Sequence, residues 1–161
     1  IDRAGNIIEK YNERTVTTGL PEFLAQLHQV IDRYAGQIRG VAFSVPGKVA
    51  HPTDTIKGGG ALTFMDGVNL RDELQLDLPV AVENDGKAAA LAELWLGELN
   101  DVADGMAIVL GTGVGGGLVL NGELVYGTHY QAGELSFIFG QIETGMETSI
   151  GLHGSDRKSG G

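Results

Sequence analysis

Cysteine is absent from the 161 residues, tryptophan occurs once and proline four times. Without cysteine the chain forms no disulfide and offers no thiolate to a metal, a composition that suits a reducing compartment. Basic residues are scarce as well: 11 Lys and Arg stand against 21 Asp and Glu, a formal net charge of -10. A chain of that sign repels a nucleic-acid backbone and an anionic bilayer, so this segment is expected to bind neither nucleic acid nor membrane. No apolar run reaches the ~20 residues that a membrane helix needs, and no signal-peptide pattern opens the chain. A cytoplasmic location is the default expectation.

Glycine, by contrast, is in excess, with 26 residues gathered mainly at 58–60, at 111–117 and at the end of the chain. The length suffices for one ordinary domain, or for a small domain and part of another. Ile1 is not a methionine, and Ile1 to Asn6 reads as the end of a strand followed by a turn. Both ends are therefore expected to be cut from a longer chain, and the polar tail from Gly151 is expected to lack order.

The stretch that organises the rest runs from Val109 to Glu123. An apolar run, Met106 to Leu110, enters a cluster in which five of the seven residues from Gly111 to Gly117 are glycine. It leaves through Leu118-Val-Leu to Asn121-Gly122. Glycines let a backbone approach a ligand and turn its N–H groups toward it, which suits a phosphate, and Thr112 adds a hydroxyl. Gly111-x-Gly113-x-x-Gly116 also matches the dinucleotide fingerprint, whose third glycine must open a helix. Here Asn121-Gly122 between apolar runs signals a hairpin instead. A phosphate-binding turn between strands is the preferred reading, a bare glycine-rich hairpin the plainer one.

Before this stretch, Ile7 to Val16 reads as a strand of imperfect alternation. Pro21 and the spacing of Phe23, Leu24, Leu27, Val30, Ile31 and Tyr34 predict a helix from about 21 to 35, ending near Gly36. Ile38 to Val45 is a strand of the buried type, closed by Pro46-Gly47. A long irregular section extends to about Asn69, a length often functional or mobile. A short helix is expected from 69 or 70 to Leu76, a strand over Leu78–Glu83, a helix over Gly86–Leu96 and a strand over Met106–Leu110. Strands alternating with helices point to an α/β architecture with a largely parallel sheet.

Asn84 and Asp85 fall where a strand hands over to a helix. Either serves as an N-cap, and the helix dipole favours a charged carboxylate there, so Asp85 is a candidate general base. Glu134, after Gly133, is a further carboxylate that can accept hydrogen bonds from substrate hydroxyls or stand as a surface residue. A phosphate loop after one strand and a carboxylate after another suit phosphoryl transfer to a hydroxyl. His28, His51, His129 and His153 show no ligand spacing and are expected to be solvated or boundary residues.

In their order and intervals, four segments resemble the ROK family of bacterial sugar kinases and sugar-responsive repressors: Gly40 to Gly47, Val82 to Ala89, Gly111 to Gly117 with Asn121-Gly122, and Gly127 through Ala132-Gly-Glu134. The resemblance runs from about Ile7 to Phe137. It implies an α/β fold of the ribonuclease H-like, actin-like ATPase class, comprising a small lobe and the start of a large one. Residues 1–105 correspond to the small, sugar-binding lobe without its opening phosphate-loop hairpin. Residues 106–161 correspond to the beginning of the large, ATP-binding lobe.

The resemblance also implies an ATP- and Mg2+-dependent kinase acting on a hexose or hexose glycoside, with room for a homodimer. Asp85 matches the catalytic base. Asn84 and Glu134 match sugar-binding residues, as do Gly59 and Gly60 at the sugar's border. Gly111, Thr112 and Gly113 match the turn near the ATP phosphates. Ser136-Phe137 stands where many members have Gly-His, and the cysteines of their zinc site are missing, so neither zinc nor another protein-held metal is expected. The alternatives are a sugar-sensing transcriptional regulator of the same family and a non-catalytic actin-like module.

Overall fold

The fold is that of a computed structural model, which describes residues 1–111, 113–136, 139–141 and 147–149. Its helices are α1 (Leu20–Asp32), α2 (Leu70–Leu74) and α3 (Asp85–Leu96). The strands are β1 (Val41–Val45), β2 (Lys48–Ala50), β3 (Thr55–Lys57), β4 (Val80–Asn84), β5 (Gly105–Leu110), β6 (Val114–Leu120), β7 (Glu123–Val125), β8 (Phe139–Gln141) and β9 (Glu147–Ser149). A 3₁₀ turn occupies Thr63–Met65. The chain divides into two compact units, Ile1–Glu83 and Asn84–Gly161.

In the first unit the expected helix forms at α1, with Pro21 in its first turn and Phe23 and Ile31 buried. It stops at Asp32, short of the expected Ala35. Tyr34 and Ala35 donate to the carbonyls three residues back, and Gly36 takes φ 74°. That tightening and the left-handed glycine end the helix. β1 lies beside β4 in a two-stranded sheet. The strand expected over Ile7–Val16 does not form: residues 7–17 take no regular structure, and Ile8 is 73% exposed. Those residues have no ladder partner. A side chain serves some of their backbone instead, since Gln26 accepts from the Val16 N–H and donates to the Arg14 carbonyl, each at 2.9 Å.

The section from 46 to 69, expected to be irregular, holds the β2–β3 hairpin and the 3₁₀ turn, and it supplies much of the core. Val49, Ile56, Met65 and Val68 pack with Phe23, Val45, Leu70, Leu74, Val80 and Val82. α2 begins at the expected place because the Asn69 side chain accepts from the backbone N–H groups of Arg71 and Asp72.

In the second unit β5, β6 and β7 form an antiparallel sheet with α3 against it. The hairpin read from Asn121-Gly122 is present: those two residues take φ 53° and 75°, and Leu120 stands opposite Glu123. Positive φ at both loop positions is what the type I′ turn demands, which is why Asn-Gly marks it. The largely parallel sheet inferred from strand–helix alternation is corrected here. Connections of two to four residues allow only antiparallel pairing, and they join β2 to β3, β5 to β6 and β6 to β7. The chain is mixed α/β. Among the described residues no helix is long and apolar enough to cross a membrane.

Candidate active site

The site grows from the start of α3. Asn84, the last residue of β4, is 5% exposed and caps the helix: its Oδ1 accepts the Lys87 backbone N–H at 3.0 Å. The capping role therefore falls to Asn84 and leaves Asp85, the first helical residue, with an exposed side chain. Asp85 Oδ1 receives Nδ2–H of Asn84 at 3.0 Å and the backbone N–H of Gly86 at 2.8 Å. Both donors reach the same oxygen, and among the described residues no hydrogen bond is made to Oδ2. One oxygen of this exposed residue is anchored and the other is left to accept, as a proton acceptor needs.

Gly86 lets this turn sit directly on β6, because a Cβ there would stand 2.5 Å from the backbone N of Gly116. A Cβ at Gly117 would likewise stand 2.5 Å from that of Ala90 in α3. Residues 116 and 117 point to opposite faces of the strand. On the second face a Cβ at Gly116 would meet the Gly133 carbonyl at 3.0 Å, and one at Gly133 would meet the Leu118 N at 2.6 Å. β6 is thus held between two backbones, the first turn of α3 and the segment at Gly133. Asp85 immediately precedes one contact and Glu134 immediately follows the other. The half-buried Glu134 accepts the Ser136 N–H on Oε1 at 3.1 Å.

The five glycines of 111–117 accordingly serve different ends. Gly115 and Gly117 face α3 and Gly116 faces the Gly133 segment, whereas a Cβ at Gly111 or Gly113 would meet nothing within 4 Å among the described residues. The Gly111 N–H bonds to the Gly113 carbonyl at 2.9 Å and closes the β5–β6 turn. Thr112 lies outside the described residues, as do Phe137, His153 and the tail from Gly151. Gly59 and Gly60 belong to the first unit. There Gly59 is buried, with space for a Cβ filled by the Leu62 carbonyl and by Met65, and Gly60 takes φ 59° beside Pro46.

Two features escaped the reading of the sequence. Lys87 is 2% exposed, a buried cation in the first turn of α3 that looks like any helical lysine in sequence. His51, expected to be solvated, is partly buried between two carboxylates: Nδ1 is 2.9 Å from Asp54 Oδ1 and Nε2 is 3.4 Å from Glu83 Oε2. Arg71 joins them with Nη2 at 2.8 Å from Asp54 Oδ2. Only the fold brings Glu83 to a histidine 32 positions before it. Among the described residues no group of three or more His, Asp or Glu side chains is arranged to hold a metal ion.

The described sheet carries a glycine-lined turn, with one carboxylate at the start of the helix packed on it and another beyond a packed glycine, and sequence comparison gives the family in which this arrangement occurs. The ROK family model matches residues 1–152, and the chain belongs to that family. β-Glucoside kinase of Listeria innocua is 37% identical over 139 residues, which cover 85% of this chain and 47% of that one. Glucokinase of Halalkalibacterium halodurans is 31% identical over 161 residues, covering 94% of this chain and 48% of its own. Among solved structures, a ROK family glucokinase from Streptomyces griseus in complex with glucose and AMPPNP superposes with a TM-score of 0.75 at 25% identity. That match covers 86% of this chain and 45% of the other. The chain thus spans about half the length of these relatives.

Proposed function

We propose that this chain carries the sugar-acceptor chemistry of an ATP-dependent kinase that phosphorylates a hexose or hexose glycoside, with Asp85 as the general base. The observation that carries this reading is the exposed Asp85 carboxylate, anchored to Asn84 and Gly86 through Oδ1 alone. In this reading Oδ2 accepts the proton of the attacking sugar hydroxyl, and the anchored oxygen fixes the direction of approach. Asn84 holds the carboxylate through Nδ2, and Glu134 accepts hydrogen bonds from neighbouring sugar hydroxyls through its carboxylate.

The β5–β6 turn fits a phosphate group, because among the described residues nothing fills the space that a Cβ at Gly111 or Gly113 would take. Gly111, Thr112 and Gly113 would hold the nucleotide's phosphates there, and Mg2+, as usual, would be bound largely through those phosphates. When bound, ATP supplies the phosphoryl group that the sugar oxygen receives. The division into a sugar-binding lobe to residue 105 and an ATP-binding lobe beyond it belongs to this proposal.

For the sugar, we favour a β-glucoside. Phe137 stands where many members have histidine, and an apolar ring suits a bulkier aglycone; the Listeria innocua relative is named a β-glucoside kinase. The test is ATP consumption with glucose and with disaccharide or aryl β-glucosides, measured on the polypeptide encoded by the whole reading frame that contains this sequence. Asp85→Asn is expected to lower kcat by roughly 10²–10⁴-fold while leaving sugar affinity nearly unchanged. Near-normal turnover by that variant would remove the base assignment. Free glucose used as well as the glucosides would remove the substrate preference.

A further inference from the structure

An ionic network in the first unit brackets β4. His51 and Asp54 stand in the turn between β2 and β3, and Arg71 belongs to α2. The Asp54 side chain is 13% exposed and takes a different partner on each oxygen: His51 Nδ1 stands 2.9 Å from its Oδ1, and Arg71 Nη2 2.8 Å from its Oδ2. The same Nη2 donates to the carbonyl of Val80, the first residue of β4, at 2.9 Å. At the far end of the network, His51 Nε2 stands 3.4 Å from Oε2 of Glu83, the fourth residue of that strand. The turn is itself tied to the cap of α2, because Asn69 Nδ2 donates to the Thr53 carbonyl at 2.8 Å. Val80 and Val82 enter the apolar core, and Glu83 points to the opposite face of the strand. β4 is therefore gripped by packing on one face and by charge on the other. Sheltered ion pairs contribute little net stability, and their best-attested use is to fix register.

We propose that His51 is a positioning residue: the relay Arg71–Asp54–His51–Glu83 fixes the end of β4 and so the direction in which Asn84 and Asp85 leave the strand. A ring with a hydrogen on each nitrogen donates to Asp54 and Glu83 together, whereas a ring with one hydrogen serves a single carboxylate. His51 thereby carries the restraint from α2 and the β2–β3 turn to the residue before the cap of α3. Asn84 in turn holds Asp85 Oδ1 at 3.0 Å, so a shift of the strand end passes to that carboxylate. Misplacing a reacting group by about 1 Å can cost roughly a hundredfold in rate, so slack at Glu83 is read in turnover. The catalytic part of the inference rests on the kinase reading of Asp85; the restraint on β4 does not.

His51→Asn and His51→Gln separate the two contacts. The asparagine amide N reaches as far as Nδ1 and keeps Asp54, while the glutamine amide N reaches toward Nε2 and keeps Glu83. Both are made in the polypeptide encoded by the whole reading frame that contains this sequence. Two quantities are measured: amide hydrogen exchange by mass spectrometry in peptides spanning residues 84–90, and steady-state kinetics with ATP and a β-glucoside. His51→Asn is expected to speed exchange at the start of α3 about tenfold and to lower kcat about tenfold, with KM for the sugar within about twofold of the parent. His51→Gln is expected to stay within about threefold of the parent in both quantities. In an active parent, an unchanged kcat in His51→Asn would overturn the proposal. Equal losses in the two variants with an equally lowered urea midpoint would overturn it too, since His51 would then support the turn alone. A parent that consumes no ATP with any sugar removes the kinase reading, and the exchange contrast between the two variants then upholds or overturns the restraint.

Discussion

Gly113 and Gly116 lie three residues apart and look alike in sequence, yet they carry different duties. Their surroundings separate them. A Cβ at Gly116 would stand 2.6 Å from the Ala107 carbonyl and 3.0 Å from that of Gly133, whereas one at Gly113 meets nothing within 4 Å among the described residues. Gly116→Ala is therefore expected to destabilise the chain by about 1–3 kcal/mol, read as a lower urea midpoint. Gly113→Ala is expected to leave the midpoint within ~0.5 kcal/mol of the parent. A midpoint equally lowered by both would mean that the turn packs as the strand does. At this scale the sequence singled out residues and left their packing unread. The run of glycines suggested a phosphate loop as a whole, because a single sequence does not say whether a missing side chain makes room for a ligand or for another backbone. Lys87 and His51 stayed hidden for a related reason, since burial and distant partners leave no mark on spacing.

Elements declared themselves in proportion to how local their causes are. α1 follows from side-chain periodicity and end signals, α3 from a run of strong helix formers closed by Gly97, and the β6–β7 turn from two residues, Asn121 and Gly122. By contrast, β2 and β3 are three residues each, too short for alternation to stand out, so the hairpin read as irregular chain. The strand expected at Ile7–Val16 depended on a neighbour that local sequence cannot supply. The handover from β4 to α3 is the element boundary with most at stake, because one side chain both ends a strand and starts a helix. Asn84→Ala removes the acceptor of the Lys87 N–H and a donor to Asp85. It is expected to cost roughly 1–2 kcal/mol, whereas Asn84→Ser should retain most of the cap. Thermal unfolding of the two variants checks this, and equal losses would show that capping is not what Asn84 contributes.

For the whole molecule, family and fold class were legible from four short segments, while the substrate was not, because it depends on side chains at the rim of the site. The chain spans about half of its relatives, and phosphoryl transfer needs both reactants held in register. The isolated 161-residue chain is accordingly expected to show no sugar-dependent ATP consumption, and a chimera in which it replaces the matched segment of Listeria innocua β-glucoside kinase to show it; a coupled assay on both decides. Within this half, β6 bears no side chain where the start of α3 and the Gly133 segment press on it. Main chain has the same thickness in every protein. Two acidic groups separated by one bare strand keep their spacing through any drift of the residues around them. In the proposed kinase, adaptation to a new sugar then falls to the rim of the site and not to the width of the gap.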